Sequence, residues 1–152
     1  MNSPAESLIC ALIMVSAADR KMGDAELRRI GRYVKTLPAF GGFDPELLTD
    51  VARKVAAILA DENGLENGLA FVRNGLPPRL RETAYVLACE LAMADRSLPL
   101  EERRILQLLR QHLEIDRLVA AAIERSTLAR FAEPPAEAAT GWLPASTRSA
   151  AP

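Results

Sequence analysis

The chain has 152 residues, with 19 basic and 20 acidic side chains and a formal net charge of -1, so no overall field draws it to nucleic acid or to an anionic membrane. That length holds one domain, able to bury a core without support from disulfides or metal. The two cysteines, Cys10 and Cys89, each fall inside an apolar helical run; a thiol packs there as a small hydrophobe, which suits a reducing compartment better than a disulfide framework.

The opening Met1-Asn2-Ser3-Pro4 has no basic n-region, and the apolar run from Leu8 to Ala18 is about half the roughly twenty residues that a membrane span needs. The run from Ala84 to Ala94 is equally short and contains Glu90. These features predict a soluble, cytoplasmic protein without a transmembrane segment.

Ala, Leu, Arg and Glu dominate and alternating β-branched runs are nearly missing, which predicts an all-α fold. A first helix is expected from Pro4 to Ala18 and a second from Asp24 to Lys35, with Leu27, Ile30, Val34 and Leu37 recurring at intervals of three and four. Pro38 and Gly41-Gly42 interrupt. Asp44-Pro45 opens a third helix with an N-cap and a first-turn proline. A short fourth helix lies near Leu65 to Arg73, bounded by Asn63-Gly64 and Asn74-Gly75. Pro77-Pro78 starts a fifth that continues to Ala94, a sixth runs from Pro99 to His112, and Asp116 caps a seventh that ends near Phe131. The expectation is a compact bundle of about seven helices, with a helical domain over residues 1–131. A flexible tail rich in Ala, Pro, Ser and Thr follows over 132–152. Trp142, the only tryptophan, reads either as part of an unstructured end or, with Leu143, as a docking peptide.

One phrase occurs twice. An offset of 76 places Asp19 on Asp95, Glu26 on Glu102, Arg20 on Arg96, Arg28 on Arg104, Met22 on Leu98 and Ile30 on Leu106. Each copy joins an apolar, Ala-rich helix to an amphipathic one. Two helical hairpin units related by a pseudo-twofold axis are therefore expected. If that axis brings both turns to one end, Asp19, Glu26, Asp95 and Glu102 converge. Converging carboxylates repel unless cations or basic side chains neutralise them, and oxygen-only donors favour Mg²⁺, Ca²⁺ or Mn²⁺ over Zn²⁺. Cys10 is about 13 Å along a helix from Asp19, and the single histidine, His112, lies far down the sixth helix, so a zinc site is not expected.

Each acid also has a structural reading. Glu26, three residues after Gly23, can return to the N-cap amide and favour the helix dipole by roughly 0.3 to 1 kcal/mol. Glu102 is harder to explain so, because Pro99 in the equivalent place has no N–H. Asp19 and Asp95 can pair with Arg20, Arg96, Arg28 or Arg104. Glu90, alone among apolar residues, needs a partner: either an arginine from the second or sixth helix, or the Asp95 turn, as an outer ligand. Its counterpart in the repeat is Met14, so any site is lopsided.

These residues resemble the TerB-like (tellurite resistance protein B) family. Its signature is an Ala-rich helix ending in Ala-Asp-Gly, a hydrophobic residue three places after the Asp and a Glu seven places after it, all occurring twice. Here Ala18-Asp19, Met22 and Glu26, then Ala94-Asp95, Leu98 and Glu102, match. Glu90 fits the acid in the helix before the second turn, and Leu80-Arg81-Glu82-Thr83-Ala84-Tyr85 looks like the bacterial branch. The likeness spans Leu8 to Phe131. It implies a duplicated all-helical fold, an acidic surface site for a divalent cation, and a place among protein partners of a membrane-associated stress system, with no enzymatic reaction. The family's Gly after the Asp is Arg20 in one copy and Arg96 in the other; two arginines beside four carboxylates weaken the pull on a metal and favour internal salt bridges.

The leading expectation is a non-enzymatic stress-response module with a weak divalent-cation site at Asp19, Glu26, Asp95 and Glu102, edged by Glu90, that acts through other proteins. The alternative is a pure protein-protein interaction domain, a co-chaperone-like scaffold, whose acid clusters are structural salt bridges. No GxSxG, HExxH, P-loop or dinucleotide loop is present. Arg28, Arg29, Arg32 and Lys35 form a local basic face, read as solvated rather than as a nucleic-acid surface.

Overall fold

Ser3 begins the first helix with a reciprocal cap: its hydroxyl accepts from the Glu6 amide at 3.2 Å, and the Glu6 carboxylate accepts from the Ser3 amide at 2.7 Å. The computed structural model describes residues 2–18, 22–94 and 98–136. Among these lie α1 (Pro4–Ser16), α2 (Asp24–Thr36), α3 (Leu48–Leu59), α4 (Gly64–Gly75), α5 (Pro78–Met93), α6 (Leu100–His112) and α7 (Arg117–Arg130), with 3₁₀ turns at Pro38–Phe40 and Pro45–Leu47. The all-α bundle expected from the sequence is present, and no described residue lies in a strand. Trp142 and the end of the chain lie outside the described residues, as do Asp19, Arg20, Asp95 and Arg96.

Buried apolar side chains occur on every side of α1: Leu8, Ile9, Leu12 and Val15 are at most 1% exposed. A helix apolar all round must be enclosed, and α1 is packed against α3, α4, α5 and α6. Its equivalent in the repeat, α5, is among those neighbours and buries Ala84, Tyr85, Ala88 and Cys89. By contrast α2 is amphipathic, burying only Ile30 and Val34. Its ends are matched to the helix dipole, with Asp24 and Glu26 in the first turn and Lys35 in the last.

Two boundaries differ from the sequence reading. Asp44 does cap a helical start, accepting from the Glu46 amide at 3.0 Å, but the turn it opens is 3₁₀ and α3 proper begins at Leu48. After α2, the stretch expected only as an interruption holds the 3₁₀ turn Pro38–Phe40, which buries Phe40. Gly42, at φ 84°, then occupies the left-handed region that glycine enters without steric cost.

The end of α6 is closed by a Schellman arrangement, with the Ile115 amide donating to Arg110 O and the Glu114 amide to Gln111 O, both at 3.1 Å. Glu114 takes the positive φ of 54° that a glycine would ordinarily supply. Arg73 of α4 and Arg81 of α5 hold its carboxylate at 3.0 and 3.2 Å, and these guanidinium groups lower its pKa. Asp116 caps α7 as expected, accepting from Leu118 N at 2.9 Å and Val119 N at 3.2 Å. Only Ala120 and Thr127 of α7 are buried, so this helix lies on the outside of α5. A hydrogen bond from the Tyr85 hydroxyl to Glu124 at 2.6 Å fastens it there.

Candidate functional site

Of the five acids that the repeat singles out, three are described. Glu26 stands at the third position of α2, where its Oε2 accepts from the Gly23 amide at 2.9 Å. One carboxylate oxygen is thus spent on the helix start, the structural role its spacing predicts. Glu102 occupies the corresponding position of α6, behind the N-cap Pro99, and is only 9% exposed. Glu90 ends up against α7: its Oε1 lies 3.2 Å from Arg130 Nε. The expected arginine from the second or sixth helix is therefore replaced by one from the seventh, because the Glu90 face of α5 is the face that α7 and the end of α2 flank. Among the described residues no three His, Cys, Asp or Glu side chains form a group able to hold a metal, so Glu26, Glu90 and Glu102 do not themselves converge. Ser16, three residues before Asp19 in sequence, is 5% exposed, and its Oγ has no hydrogen-bond partner among the described residues.

The two thiols and the two phenols are held neutral. Cys10 and Cys89 are free and fully buried, and burial pushes both thiols up to about 12. Burial likewise raises the Tyr33 phenol to about 12, helped by the nearby Glu90 carboxylate. Tyr85 is raised still further by burial and by its bond to Glu124.

The most developed surface feature is a trough floored by one stripe of α5. Leu80, Thr83, Leu87, Glu90 and Ala94 follow at intervals of three and four, hence share a helical face, and all line it. The apolar section has a volume near 840 Å³, walled by Leu37 and Pro38 on one side and by Val119, Ala122 and Ile123 of α7 on the other. Val86, 38% exposed, adds apolar floor. The second section, near 550 Å³, holds Arg29, Arg32 and Tyr33 of α2 with Glu90, Arg130 and Phe131. Leu37 and Leu87 line both sections, so a mainly apolar section and an arginine-lined one adjoin along α5.

The sequence was compared with known protein families. The model of the family described as Tellurite resistance protein TerB matches residues 5–125. The chain belongs to the TerB family. No curated protein and no solved structure matches it. The matched span runs from the start of α1 into α7 and ends before Ser126, Thr127, Arg130 and Phe131, which also line the trough. Sequence reading of the TerB chain passed over the trough and Arg130. The 80-83-87-90-94 stripe was legible as a face of α5, but a stripe with Leu80 at one end and Glu90 near the other reads as core until the packing of α7 shows which part stays open.

Proposed function

We propose that this TerB-family chain is a non-enzymatic stress-response module that acts by binding other proteins, with its duplicated acidic turns holding a divalent cation weakly. The trough over α5 carries the reading: a mainly apolar depression of about 840 Å³ adjoining a cluster of arginines is the kind of surface that recognises a partner segment. The neutral, buried thiols and phenols fit a protein without a nucleophile of its own. Absence of a span-length apolar helix among the described residues agrees with a module that reaches a membrane-associated system through its partners.

For the cation, Asp19, Glu26, Asp95 and Glu102 offer oxygen donors alone, with Ser16 Oγ close in sequence to the first turn, a set suited to Mg²⁺, Ca²⁺ or Mn²⁺. Bound there, a cation would neutralise acids that otherwise repel. Glu90, tied to Arg130 at 3.2 Å, stands apart from the donors. A second reading, in which the acids only brace the fold, is favoured by the same ion pair and by the Glu26 bond to Gly23.

Titration of the full chain with Mg²⁺, Ca²⁺ and Mn²⁺, followed by amide chemical shifts, decides between them. Saturable shifts at Asp19, Asp95 and their neighbours, weakened by Glu102→Gln, support the cation site. An unchanged spectrum, or shifts scattered over all exposed carboxylates, overturns it and leaves the interaction module.

A further inference from the structure

The trough also carries information about what binds in it, and the following deepens the proposed partner-binding role and rests on it. Three properties constrain an occupant. The stripe from Leu80 to Ala94 runs about 21 Å at 1.5 Å per residue, which matches a short peptide segment rather than a small metabolite. Its first half is mainly apolar, with Val86 38% exposed on the floor and Val119 and Ile123 of α7 along the wall, and the two charges in its lining, Arg79 and Glu82, are of opposite sign. Its second half brings three guanidinium groups, from Arg29, Arg32 and Arg130, around one carboxylate, Glu90. Glu90 lies 3.2 Å from Arg130 and faces Tyr33, so it steadies one wall of this end, while Arg32 stays exposed beside it.

We propose that the trough docks an acidic amphipathic segment of another protein. The segment's apolar side chains would seat over Leu80, Val86 and Leu87, and its carboxylates would meet Arg32 and the open side of Arg130. Guanidinium groups favour this pairing because a planar fork engages a carboxylate through two hydrogen bonds. Apolar seating supplies the burial, and the arginines set direction along α5, since a segment entering in reverse would bring its acids to the end where Glu82 stands beside Arg79.

The test is selection from a displayed library of random peptides of about sixteen residues, long enough to fill the stripe in helical form, against the full-length chain. Enriched sequences are expected to combine apolar residues at helical spacing with a cluster of Asp or Glu at one end. Binding of a selected peptide should fall by about tenfold or more in Val86→Asp and in Arg32→Glu, as for residues at the centre of an interface. Glu→Lys substitution in the peptide should restore binding to Arg32→Glu. Leu100→Asp, at a residue 77% exposed on α6 and outside the trough, should leave binding unchanged. Peptides that carry no acidic cluster, or that bind Val86→Asp and Arg32→Glu as well as the original chain, overturn the assignment. If they lose binding in Leu100→Asp instead, the partner-binding role stands and only its place is wrong. If nothing is enriched, both fall. A single-stranded oligonucleotide that displaces the peptides and is itself lost in Arg32→Glu but not in Val86→Asp also overturns the proposal, in favour of a phosphate-binding face.

Discussion

The Glu90 carboxylate lies 3.2 Å from the Arg130 guanidinium, and this pair joins α5 to the last turn of α7. Arg130 is 66% exposed at its side chain while Glu90 is 22% exposed, so the pair sits half in solvent. Its worth to stability is below about 1 kcal/mol, as for other exposed ion pairs; its effect is to place charge at the cationic end of the trough.

Replacing Glu90 therefore has an electrical signature larger than its energetic one. Glu90→Gln removes a negative charge that, after burial, is the main cause raising the Tyr33 phenol to about 12. Tyr33 should then ionise at lower pH than in the unaltered chain. The other tyrosine, Tyr85, is raised by burial and by Glu124 and should not move. Ring-carbon chemical shifts of the two tyrosines across an alkaline titration measure both at once; an unmoved Tyr33 would show that Glu90 does not face it in solution.

Two glycines in helices respond to alanine in opposite directions. At Gly31 in α2, an added Cβ meets only Leu48 Cδ2 at 3.8 Å, ordinary contact, and Gly31→Ala should stabilise by about 0.5 to 1 kcal/mol through helix propensity. At Gly64, which opens α4, the Cβ would collide with the backbone carbonyl of Leu59, which cannot swing aside as a side chain can. Gly64→Ala should cost about 1 to 3 kcal/mol, the range for overpacking. Urea unfolding midpoints of the two variants give the comparison directly.

Acid should weaken the start of α1 first at Glu6. The backbone hydrogen bond from Ser3, then the hydrogen bond from Lys54 at 3.0 Å, lower its pKa below the ordinary 4.5. A depressed folded pKa means that the unfolded state binds the proton more readily, so the stabilisation is complete above about pH 4.5 and is lost as pH falls through the lower folded value. Glu6→Gln should be less stable than the original chain near neutrality, and the gap should close in acid. A gap that stays constant with pH would assign the loss to packing instead of charge.

The thiols should be silent. With Cys10 and Cys89 fully buried and pushed up to about 12, neither should react with a thiol-specific reagent at pH 8 in the folded protein, since the thiolate is the reacting species. Both should react in denaturant. Rapid modification of either in the native chain would mean that α1 or α5 opens locally.

How much of this was legible beforehand differs by residue. Asp116 and the prolines at helix starts act through neighbours a few positions away, so spacing alone located α1, α5 and α7 to within two residues, although the Ser3 cap of α1 was not read from it. Glu26 was readable for the same reason, since its partner Gly23 is local. Glu90 was recognised as needing a partner, yet Arg130 lies 40 residues on, and choosing it requires knowing which helix lies along which face of α5. The paired acids at Asp19 and Asp95 stand on sequence and family membership, because both fall outside the described residues.

Helical periodicity, capping and the duplicated acidic phrase were determined by the amino-acid sequence itself, because those signals act within a turn or two and do not depend on what packs nearby. The tertiary structure alone decided that α7 rides on the outside of α5, and with it that Glu90 pairs with Arg130 and that apolar Leu80, Val86 and Leu87 line an open trough beside three arginines. Burial and long-range charge are properties of neighbours distant in the chain, and only packing brings those neighbours together.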